Sequence, residues 1–147
     1  MKSNNKIIEF QTKEELEFID LTDKIKKFVK ESQIKEGLIN IQSLHTSAAL
    51  IVNENEPLLM EDFKDNLRKT SSKEGNYRHD DLEKRTVNLC VDECINGHSH
   101  CRAIHLLVSA TLNVINGELQ LGQWQRIFFV ELDSSRKRKL QIQIIGE

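Results

Sequence analysis

The sequence predicts a single α+β domain spanning residues 1–147, with antiparallel strands dominating its C-terminal half. Three observations lead there. A chain of 147 residues suits one hydrophobic core. Two stretches, around Ile25 and around Phe63, repeat apolar residues at helical spacing. Beyond Ser109 the pattern changes to apolar and polar residues in alternation, broken by turn signals.

The elements follow in order. Ile7, Ile8 and Phe10 make Lys6 to Thr12 a first strand, continued near Phe18. Thr22 is placed as the N-cap of a helix striped by Ile25, Phe28 and Val29 and ending before Gly37. From Leu38 the chain alternates through Ile39, Ile41 and Ser43, and a second run follows from Ala48 to Val52. The segment His45-Thr46-Ser47 therefore falls inside or between two strands. Pro57, the only proline, suits the first turn of a helix striped by Leu59, Met60, Phe63 and Leu67 and ending near Lys69. Residues 70–86 are polar and aperiodic, a connection that contains His79. Asn96-Gly97 reads as a turn or cap before a short helix over His98 to Ser109. Leu112 and Val114 alternate up to Asn116-Gly117, a hairpin signal, and Leu119 and Leu121 resume beyond it. A strand from Trp124 to Leu132 turns at Ser134 to Lys137 into a last one from Leu140 to Ile144.

Charge is balanced, with 21 basic against 23 acidic residues, so no uniform field draws nucleic acid or an anionic membrane. No apolar run approaches the ~20 residues that cross a bilayer, and the charged start leads into no signal-type core. A soluble, cytoplasmic protein is expected. Cys90, Cys94 and Cys101 are an odd, clustered set, which fits reduced thiols or metal chemistry better than a disulfide framework.

Five histidines fall in three places: His45, His79, and the cluster His98, His100 and His105. Imidazoles from distant segments can form a catalytic metal site with an open position, or can be scattered core and surface residues. A weaker alternative puts Cys94, His98, Cys101 and His105 on one helical stripe as a structural zinc site, against which Asn96-Gly97 argues. Glu54 follows the His45 segment and Asp80 follows His79. Such carboxylates can orient an imidazole or act as a base, while Glu54 and Glu56 can equally serve the start of the Pro57 helix. Thr46 and Ser47 offer donors for an anion or satisfy their own backbone. The basic run Arg136 to Lys139 could hold a phosphate, its ordinary role being a solvated hairpin tip. Trp124 is expected in the core and Cys101 as a small apolar filler. Nucleophile elbows, glycine-rich phosphate loops and Cys-x-x-Cys pairs are absent.

In chain order, His45-Thr46-Ser47-Ala48-Ala49-Leu50 with Asn53-Glu54, Tyr77-Arg78-His79-Asp80, Asn96-Gly97-His98-Ser99-His100, Leu121-Gly122-Gln123-Trp124-Gln125 and Glu131-Leu132-Asp133 with Arg136 resemble the YjbQ-like family. That family is described as secondary thiamine-phosphate synthase enzymes. Many members read Gly-Thr-Trp-Gln at residues 122–125 and Asn-Ala-x-Ala-His at residues 96–100, so this chain departs at both. The resemblance implies a jelly-roll-like antiparallel β-sandwich with a few flanking helices, assembled as a homotrimer with sites near subunit boundaries. It implies a divalent metal ion, zinc or magnesium, on His45, His79 and His100, with Glu54 and Asp80 as base or supporting groups and Arg136 as a phosphate contact. The implied reaction joins hydroxymethylpyrimidine diphosphate to thiazole phosphate and releases pyrophosphate. Two other readings stand beside it: a non-catalytic trimer that binds a metal or a phosphate-bearing ligand, and a metal-dependent hydrolase.

Overall fold

The computed structural model describes all 147 residues as a mixed α+β fold of two antiparallel sheets and three helices. The strands are β1 (Lys2–Gln11), β2 (Phe18–Asp20), β3 (Gly37–Ser43), β4 (Ala48–Asn53), β5 (Ser109–Ile115), β6 (Glu118–Leu119), β7 (Arg126–Glu131) and β8 (Lys137–Gly146). The helices are α1 (Thr22–Ser32), α2 (Pro57–Thr70) and α3 (Gly97–Ala103), with a single 3-10 turn at Arg78–Asp80. One sheet has the order β1-β8-β3-β5-β6 and the other β2-β7-β4. No helix is long and apolar enough to cross a membrane.

The main core lies between the sheets and under α1, where Ile39, Ile41, Ile142 and Ile144 meet Leu50, Ile127, Phe129, Ile25 and Val29. A second cluster on the opposite face of the smaller sheet packs Ala49, Phe128 and Val130 against Leu67 of α2. Both faces of β4 and β7 are therefore covered, which explains their unbroken apolar runs. The strand β8 buries one face only and alternates along its length. Asn116 and Gly117 both adopt positive φ, 55° and 75°, as the tight hairpin between β5 and β6 requires. Gly37 and Gly146 face each other across β3 and β8, and a Cβ on Gly37 would collide with the Ile145 carbonyl oxygen.

Several expectations shift for identifiable reasons. The strand β1 begins at Lys2, because β8 pairs with it along its whole length and supplies the order that the polar residues Lys2 to Asn5 lack. Leu21 is the N-cap of α1, and Thr22 is its first residue. The buried Thr22 hydroxyl accepts from the Ile127 amide at 2.8 Å, so it ties the helix to β7 instead of capping it. Glu56 does cap α2, accepting from the amides of Leu58 and Leu59. The helix α3 stops at Ala103, since Leu107 exchanges backbone hydrogen bonds with Leu50 and β5 starts at Ser109. Trp124, expected in the core, is 64% exposed in the bend where the Gly122 amide donates to the Gln125 side chain.

Candidate functional site

Three segments meet around a cleft of about 790 Å³: the loop joining β3 to β4, the connection leading into α3, and the turn joining β7 to β8. Thr46 and Ser47 line it from the first, Arg78 and His79 from the second with His100 of α3 behind them, and Arg136 from the third with Arg138 at the start of β8. A smaller, mostly apolar pocket of about 230 Å³ between β4 and α2 contains His105 as its sole ionisable group, so the chemistry concentrates in the larger cleft.

The structure brings His79 and His100 together with ring centroids 4.7 Å apart, edge to face. Asp80 secures this approach, because its Oδ1 accepts from the amides of Asn96 at 3.1 Å and Gly97 at 2.8 Å. The turn carrying His79 is thereby fastened to the start of the helix carrying His100. The Nε2 atom of His79 is buried and has no hydrogen-bond partner within the chain. Burial, followed by the neighbouring His79, lowers the His100 pKa below the ordinary histidine value and favours its neutral form.

His45 does not join the pair in the cleft. Its Nε2 accepts from the Lys139 backbone amide at 2.7 Å, and only its neighbours Thr46 and Ser47 line the cavity. Glu54 lies beyond the end of β4 and is not part of the lining either; its amide donates to the Asn53 side chain at 2.8 Å. No three His, Cys, Asp or Glu side chains of one chain come close enough to hold an ion. One chain thus offers a metal the two imidazoles of His79 and His100, one of them with an orphaned buried nitrogen. The Cys94-to-His105 stripe does not form, since Cys94 precedes α3 and lies on the connection.

Arginines supply the charge of the cleft. Arg138, expected at a solvated hairpin tip, is 4% exposed and grips the fully buried Glu131 with two hydrogen bonds of 2.7 and 2.5 Å. Its Nη2 also donates to the Ser47 hydroxyl at 3.2 Å. Arg136 donates through Nε to Asp133 at 2.7 Å and has the Cys94 thiol beside its guanidinium; its terminal nitrogens make no hydrogen bond to a carboxylate. Arg85 pairs with Glu93 at 2.6 Å. Arg78 lines the cleft without a carboxylate partner among these pairs. Buried carboxylates balance the deepest cations, while Arg78 and the terminal nitrogens of Arg136, which meet no carboxylate, remain available to an anion. Glu131 and Asp133 enter the sequence reading only within the family-like segment, and Arg138 only within the basic run; their burial and their pairing were not foreseen. Their signal was a glutamate closing the apolar run Ile127 to Val130, where an unpaired charge would be costly.

This fold and cleft define a small α+β protein with curled antiparallel sheets and an arginine- and histidine-lined cleft at the segments that join them. The chain belongs to the YjbQ/UPF0047 family: the family model described as UPF0047 protein YjbQ-like matches residues 6–147. It is similar to the UPF0047 protein of Methanothermobacter thermautotrophicus, 34% identical over 93% of this chain and 88% of the relative. Bacillus subtilis UPF0047 protein YugU is 29% identical over 96% of this chain and 98% of its own. Among solved structures, a YbjQ-like protein of unknown function from Sulfolobus solfataricus superimposes with a TM-score of 0.88 at 31% identity, covering 99% of both chains.

Proposed function

We propose that the cleft binds a phosphate-bearing small molecule and that the protein is an enzyme acting on it, with thiamine-phosphate synthesis as the named reaction. One observation carries this reading: Arg78, Arg136 and Arg138 converge with a pair of imidazoles on a single cavity. Arginine forks match phosphate oxygens in geometry, and fixed cations stabilise charge that develops on a departing diphosphate. In the named reaction the thiazole nitrogen attacks the methylene carbon of the pyrimidine diphosphate. A carbon–nitrogen bond forms, the carbon–oxygen bond breaks, and the electron pair leaves with pyrophosphate. Arg136 and Arg78 hold the leaving group, the neutral His100 donates or accepts a hydrogen bond at its edge, and Thr46 and Ser47 offer hydroxyls.

A divalent ion belongs to the same proposal, and His79 and His100, as its ligands from one chain, suit zinc better than the oxygen-seeking magnesium. When bound, the ion would offset negative charge on the departing oxygens. A homotrimer also belongs to it. The exposed Leu44, Leu107 and Val108 beside the His45 loop support a covered surface there, and sedimentation would test it.

The test is pyrophosphate release from the two thiamine precursors by the wild type and by Arg136→Ala. The proposal expects release that falls at least tenfold in the variant. No release by a wild type that still binds pyrophosphate would remove the thiamine assignment and leave a phosphate-ligand site.

A further inference from the structure

Beneath the cleft, one carboxylate joins the two halves of the site. Asp133 is 4% exposed, and its Oδ2 accepts from the Arg136 Nε at 2.7 Å and from the Asn96 side-chain amide at 3.1 Å. Arg136 stands on the cationic wall, and Asn96 is the residue from which α3 departs, four positions before His100. Asp133 is itself fixed from below, since its amide donates to Glu131 Oε1 at 3.0 Å. That carboxylate also accepts from Arg138 and from the buried hydroxyl of Thr12, which in turn accepts from the Arg136 amide at 2.8 Å. Every group in this chain of contacts is held by at least one buried partner, so the guanidinium of Arg136 cannot swing freely.

We infer that Asp133 is a positioning residue. It aims the fork of Arg136 into the cleft and sets it in register with the imidazole pair on α3 and its neighbouring turn. This rests on the phosphate-binding reading of the cleft and adds a residue that never touches the ligand. The geometry is a division of labour within one guanidinium: Nε is spent on Asp133, which fixes the plane, and the terminal nitrogens, which have the Cys94 thiol beside them but no carboxylate, serve an anion. A lysine could supply the charge but not this arrangement. Asp133 is 4% exposed where the Arg136 side chain is 35% exposed, and its Oδ2 is shared with the Asn96 side-chain amide.

The test is calorimetric titration of the full-length protein with pyrophosphate. Wild type binds, Arg136→Ala weakens binding at least tenfold, and Asp133→Ala weakens it about as much, while Asp133→Asn, which keeps an oxygen acceptor, stays within about threefold of wild type. The double variant Asp133→Ala with Arg136→Ala is no weaker than Arg136→Ala alone, because Asp133 acts through Arg136. Arg136→Lys, which retains the charge at a partly exposed position, also loses at least tenfold, and this arm does not depend on the folding of the Asp133 variants. Wild-type affinity in folded Asp133→Ala, additive losses in the double variant, or full affinity in Arg136→Lys would overturn the inference while leaving the phosphate reading intact. Absence of binding by the wild type would overturn both.

Discussion

Thr12 shows at the residue scale how much a single hydroxyl can hold. It is fully buried, donates to Glu131 at 2.9 Å and accepts from the Arg136 amide at 2.8 Å, so it joins the end of β1 to the turn that bears the cationic wall. Thr12→Val keeps the shape and removes both bonds, leaving the half-buried Arg136 amide and the buried Glu131 carboxylate each short of a partner. The expected loss is about 1 to 3 kcal/mol, read as a lower urea midpoint. The exposed Thr111→Val is the control and should change stability by less than about 0.5 kcal/mol. Equal effects of the two would contradict the network. Histidines 79 and 100 and Arg136 were legible by residue type and by the resemblance. The burial of Asp133 and the pairing of Glu131 with Arg138 were not, because a charge in a core is intelligible only once its partners are known. His45 and Glu54 had the right chemistry, but the loop geometry turns one toward Lys139 and leaves the other beyond the strand end.

At the scale of elements, the position of α3 depends on one buried cation. Arg102 is fully buried and donates through Nε to the carbonyls of Leu67 and Ser71 at the end of α2, and through Nη1 to Glu15 at 2.5 Å. Burial pushes the Glu15 carboxyl upward, but Arg102 and Lys73 outweigh it and hold the net value below the usual 4.5. A carboxylate with a depressed folded pKa stabilises above its unfolded value and loses that contribution as pH falls through the folded one. The wild type should therefore lose thermal stability as pH drops below about 4.5. Glu15→Gln should be destabilised by about 2 kcal/mol at pH 7, less than a fully buried pair would give because Glu15 is partly solvated, and its acid loss should be shallower. Parallel pH profiles for the two proteins would contradict this. Element identity was largely legible: the helical stripes of α1 and α2 and the alternation of β8 are patterns of exposure. Boundaries were less so. The amides of Leu50 and Leu107 end α3 early, and β8 extends β1 through residues without apolar periodicity, both effects of pairing across the chain.

The whole molecule presents one cavity in which arginines, imidazoles and hydroxyls from three separate segments converge, and this convergence rests on the two-sheet fold. Metal content is the first global check. His79→Ala and His100→Ala should each lower it without unfolding the protein, whereas His45→Ala should leave it unchanged, since one chain keeps His45 out of the cleft. Loss of metal in His45→Ala would mean that a second copy brings that histidine to the site. Unchanged metal in all three variants would remove the metal from the account. The most direct test is a crystal structure with bound pyrophosphate. The account places the anion between Arg136, Arg78 and the His79–His100 pair, with Asp133 still on the Nε of Arg136. Pyrophosphate bound elsewhere, or a cleft left empty at saturating concentration, would contradict it.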